Sequence, residues 1–201
     1  VVLRLAQNIS KSQDPNAIME TWLNSYLNEQ IENQNDYIIE LEAVNFFGLL
    51  DGERIRADLD LTESTFILNR TREIIDKYEQ LSFDTLYSAR DSIQDLNISA
   101  SEKRSMEDGL NSTLQSGIEA GQKIWELERQ RISDSENTLI FLSTTEANWI
   151  WEDEQFVFFN TKSLNIFNAY ISIFDRTVAE QDQIRESSSQ NVKNIYQKYA
   201  N

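Results

Sequence analysis

The chain has 201 residues, with 5 glycines, 1 proline, no cysteine and no histidine. That composition excludes a disulfide framework, a thiolate metal site and the usual imidazole base, and it disfavours turn-rich β folds. The formal net charge of −16 disfavours a nucleic-acid backbone or an anionic membrane surface as partner and favours a cationic one.

A hydrophobic content of 40% predicts a single helical, globular domain over residues 1–201. No segment offers the roughly 20 apolar residues that span a bilayer. Residues 1–6 are mostly apolar and 7–14 polar. This start reads either as the stump of a removed signal or anchor with a polar stalk, or as an ordinary first turn.

The first helix opens at Asp14-Pro15-Asn16, with Asp14 as N-cap and Pro15 at the first helical position. Ile18, Trp22, Tyr26, Leu27, Ile31, Ile38, Leu41 and Val44 then recur at helical spacing. Asn and Gln crowd the middle, so the contact there is thin. Gly48 and Gly52 fit a C-cap and a turn. Asp58-Leu59-Asp60 opens like a calcium loop, but Glu63 stands where glycine is needed and Asn69 where a bidentate glutamate is needed. That excludes the loop.

A second helix runs from Thr62 to about Asn97, with Ile67, Ile74, Tyr78, Leu81, Ala89, Ile93 and Leu96 as its seam. Ser99-Ala100-Ser101-Glu102 is a capping box that opens the third helix. There Ile118, Trp125, Ile132 and Leu139 fall seven apart, with Leu110, Leu114 and Leu142 beside them. Gly117 and Gly121 share a face and make room for a bulky neighbour.

Residues 149–160 break the helical pattern. Trp149 and Trp151 share one direction if extended, as do Phe156 and Phe158. A small β-hairpin through the polar Glu152–Gln155 link fits best; a helix with aromatics all round is the alternative. In the hairpin reading one aromatic pair faces the helices and the other stays partly exposed. The aromatics Trp149, Trp151, Phe156 and Phe158 are therefore the leading binding residues, with a local cap on the core as the alternative.

The fourth helix has an alternating three-and-four seam: Leu164, Phe167, Ile171, Phe174 and Val178, then Gln181, Arg185 and Ser188, then Val192, Ile195 and Tyr199. Phe174 is expected in the core. The polar middle either lines a wet gap, or sets register, or marks an unwinding at Ser187-Ser188-Ser189. Arg185 is its binding candidate.

The sum is an all-α fold: an elongated, antiparallel, up-down four-helix bundle with a hairpin or aromatic loop between helices three and four. No nucleophile motif or glycine-rich loop is present, so an enzyme is not expected, nor a cofactor or metal. The long acidic helices, the strand pair with Phe156 and Phe158, and Phe167-Asn168 opening a last helix resemble an uncharacterised family of small helical bacterial envelope lipoproteins. The resemblance covers the C-terminal quarter and implies an extracytoplasmic, envelope or periplasmic location. The expected function is non-enzymatic binding or scaffolding, with a protein partner or self-association. Two alternatives remain. One is a ligand-sensing receptor bundle in which Arg185 or Arg176 pairs with a small anion. The other is an acidic inhibitor of a basic toxin.

Overall fold

A computed structural model describes residues 14–199, apart from the side chains of residues 112–116 and 188–199. The start of the chain and the side chains of Leu114, Ser188, Val192, Ile195 and Tyr199 therefore lie outside the described residues. The fold is mostly helical with one small antiparallel sheet. In order come α1 (Pro15–Ala43), α2 (Gly52–Ala57), α3 (Thr62–Ser92), α4 (Ala100–Thr144), β1 (Trp149–Glu152), β2 (Gln155–Phe158) and α5 (Thr161–Tyr199).

The helix starts follow the caps. Asp14 Oδ1 accepts the Asn16 amide at 3.0 Å, which caps α1. Ser99 and Glu102 form the reciprocal capping box of α4: Glu102 accepts the Ser99 amide at 2.7 Å and Ser99 Oγ accepts the Glu102 amide at 3.3 Å. Asn160 Oδ1 accepts the Ser163 amide at 2.8 Å and caps α5. The last helix thus opens at Thr161, and Phe167 sits in its second turn, not at its start.

Two expectations about glycine are corrected. The left-handed residue after α1 is Asn45, at φ 59°. Gly52 is the first residue of the short helix α2, capped by Asp51. Gly52 is needed for space, because a Cβ there would overlap the Trp151 ring. Among the described residues, nothing lies within 4 Å of where a Cβ on Gly117 would sit.

Residues form two compact units. One takes residues 14–39 and 76–119. Its core is Ile18 and Trp22 of α1 packed with Ala89, Ile93, Leu96 and Met106. Trp22 Nε1 donates to Ser92 Oγ at 2.9 Å, Asn33 Nδ2 to Thr85 Oγ1 at 3.2 Å, and Tyr37 meets Tyr78 edge-on at 5.5 Å. Partners fall in α3 as they rise in α1, so these helices run antiparallel. The apolar set of α1 is not one stripe. Ile18, Trp22, Tyr37 and Leu41 are buried, whereas Ile31 and Ile39 are 58% and 59% exposed.

The other unit takes residues 40–75 and 120–199. Leu41, Leu49, Ile55, Ile75, Ile132, Leu139 and Leu142 are its deepest apolar side chains. Arg72 pairs with Glu136 at 2.7 Å, and Ser143 Oγ donates to the Leu59 carbonyl at 2.6 Å. Those contacts set α3 against α4 in opposite senses. Phe141 with Tyr170 and Asp134 with Thr177 do the same for α4 and α5.

Candidate functional site

The hairpin and a polar seam, both in the second unit, hold the residues singled out by sequence. Strand pairing sets Trp149 opposite Phe158, Ile150 opposite Val157 and Trp151 opposite Phe156. Directly opposed residues of an antiparallel pair share a face. All four aromatics therefore lie on one face, and Ile150 and Val157 on the other. The expectation of one inward and one outward aromatic pair is corrected by this register.

The shared face is a continuous aromatic cluster. Phe156 lies 5.2 Å from Trp149, 4.9 Å from Trp151 and 5.1 Å from Phe167, ring centre to ring centre. Phe158 meets Phe167 at 5.1 Å and Phe141 at 6.3 Å. These spacings are typical of favourable tilted and edge-on rings. Trp149 is buried, and its Nε1 donates to the Leu142 carbonyl at 2.8 Å. That carbonyl belongs to the last turn of α4 and has no helical partner of its own. Trp151, Phe156 and Phe158 are half-buried. Phe159, a member of the same aromatic stretch of the sequence, is 62% exposed.

The turn is unusual. Asp153 and Glu154 have φ of 49° and 59°, so both central residues are left-handed. This is the positive-φ pairing that two-residue hairpins favour, built without the usual glycine.

The polar seam joins α4 to α5. Glu128 is buried and accepts from Arg131 Nη1 and from Arg185 Nη2, each at 3.1 Å. The Arg131 guanidinium also lies 5.7 Å from the ring centres of Phe46 and Phe174. Asp134 accepts from Gln130 at 2.7 Å and from the Thr177 hydroxyl at 3.3 Å. Gln181 is buried, with its amide 3.5 Å from the Ile124 carbonyl.

α5 continues as helix through Ser187-Ser188-Ser189, which overturns the unwinding alternative. Its inward face is more polar than expected: Ser163, Thr177 and Gln181 are buried, Phe174 is only half-buried, and Leu164 is 38% exposed. Phe174 is thus the lid of an arginine, not a core residue. Arg185 does not join the aromatic cluster. Its charge is already matched by a buried carboxylate, with which a small anion would have to compete.

Sequence reasoning missed Glu128 and Arg131. Their i, i+3 spacing was a signal, but one shared by many solvated pairs. A second missed group ties α2 to α3. Arg54 donates to Asp58 at 3.3 Å, to Ser64 Oγ at 3.0 Å, and to the carbonyls of Gly48 and Leu49. Asp58 in turn accepts from the amides of Glu63 and Ser64 at 2.9 and 2.7 Å and from Ser64 Oγ at 2.6 Å. Asp58 is thus the cap of α3.

No family model matches the chain, and no curated protein or solved structure is significantly similar to it.

Proposed function

We propose that this chain is a non-enzymatic helical binding domain whose contact surface is the hairpin and its flanks. One observation carries the reading. Half-buried Trp151, Phe156 and Phe158 continue into an exposed Phe159, in an otherwise acidic helical protein. Partly exposed aromatics held in place by neighbours are typical binding anchors, since little side-chain freedom is lost when a partner covers them. An envelope location rests on the hairpin-then-helix resemblance. The reading includes an up-down order for the four long helices, supported by the opposed senses of the α1–α3, α3–α4 and α4–α5 contacts.

A photo-crosslinking residue at position 159 tests the surface in living cells of the source organism. The expected result is one discrete adduct from position 159 and none from exposed Asp175. Equal labelling from both positions would sink the reading.

A further inference from the structure

α1 carries two rows of apolar side chains, and among the described residues only one is covered. Trp22, Asn33 and Tyr37 face α3. Ile31 and Ile38 are seven residues apart, which places them on one stripe of the helix, turned away from that row. Ile31 is 58% exposed, Ile38 37% and the adjacent Ile39 59%. Asn35 stands among the three.

The rim of this patch is anionic. Glu32 and Asp36 are exposed beside it. Glu20, Glu29, Glu40 and Glu42 lie along the same helix, and α1 contains no lysine or arginine. A second copy of α1 on this patch would set carboxylates against carboxylates within a chain of net charge −16. Like charges so placed oppose association, whereas opposite charges promote and steer it.

We propose that the Ile31–Ile38–Ile39 face of α1 docks a cationic amphipathic helix of a partner protein. The partner's apolar row covers the three isoleucines, and its lysines or arginines flank Glu32 and Asp36. Helix-in-groove and heptad contacts use this spacing of anchors. The surface is separate from the hairpin and does not depend on the role given to it.

The probe is a synthetic heptad peptide with leucine at a and d and lysine at e and g, beside a counterpart with glutamate at e and g. The full chain should bind the lysine peptide and not the glutamate one. Ile31→Ser/Ile38→Ser should weaken binding by at least about tenfold, because exposed apolar anchors are removed. Glu32→Lys/Asp36→Lys should weaken it similarly and reduce its salt dependence. Phe66→Ser, an exposed aromatic on α3, should bind as the parent does. Melting curves verify that each variant folds. The proposal is overturned if the lysine peptide fails to bind, or if it binds the Ile31→Ser/Ile38→Ser variant equally, which would mean charge alone. It is also overturned if sedimentation shows a dimer that this variant dissolves, which would make the occupant a second copy.

Discussion

Asp58 shows how a single carboxylate can hold a connection together. Burial by itself would raise its carboxyl. The Ser64 hydroxyl, the Glu63 and Ser64 amides and the Arg54 guanidinium outweigh that and hold it below the usual aspartate value. A depressed folded value stabilises the native state fully above the unfolded value. That contribution is lost as pH falls through the folded value. Urea unfolding over a series of acid pH values should therefore show stability draining away in the window below the ordinary aspartate range. Asp58→Asn should be less stable at neutral pH and lack that part of the acid loss. An unchanged acid profile in the variant would assign the loss to other carboxylates. Sequence exposed the acidic pair at Asp58 and Asp60 but not this role. The fold brings Arg54 and Ser64 to Asp58 through a left-handed Leu61, at φ 59°, a conformation that nothing about leucine advertises.

At the scale of elements, the starts of α1 and α4 were legible because their caps are local, whereas the start of α5, capped by Asn160, was not. Asp14, Ser99 and Glu102 act on amides two or three residues away. Which stripe is covered was less legible, because that depends on neighbours. The isoleucines of α1 and the polar residues of α5 both obey helical spacing, and spacing alone does not say which row meets a partner. The hairpin was legible from its aromatics, but the sharing of one face needed the register. Two predictions belong here. Glu154→Gly should stabilise the protein by about 0.5–1 kcal/mol in thermal or urea unfolding, because glycine accepts positive φ without Cβ strain. A loss of stability would mean that the Glu154 side chain contributes more than the strain costs. Gly117→Ala should add about 1 kcal/mol, the helix-propensity difference at an open position. A destabilised variant would show that residue 117 is crowded in solution.

At the scale of the molecule, charge is the dominant property that composition alone revealed. With 34 acidic and 18 basic residues, self-repulsion opposes folding at low salt. Exposed ion pairs such as Arg70–Glu73 and Arg90–Asp91 are weakened by the same screening, but pairs of that kind contribute little. Repulsion should win. Raising sodium chloride from about 10 mM to about 150 mM, which shortens the screening length from about 30 to 8 Å, should raise the Tm. A falling Tm would give the ion pairs the larger share. Partner identity was not legible at this scale, since charge names a sign and no more.

The one-sided hairpin also bears on which genetic changes this chain can survive. Side chains alternate along each strand, so inserting or deleting one residue inside β1 or β2 turns the residues beyond it to the opposite face. A substitution at Phe156 costs one ring. A single-codon deletion at Val157 brings Phe156 next to Phe158 and forces one of them off the cluster. Length changes should be tolerated at the Asp153-Glu154 tip and rejected within the strands, and a library of single-residue insertions and deletions scored for soluble expression would reveal that boundary.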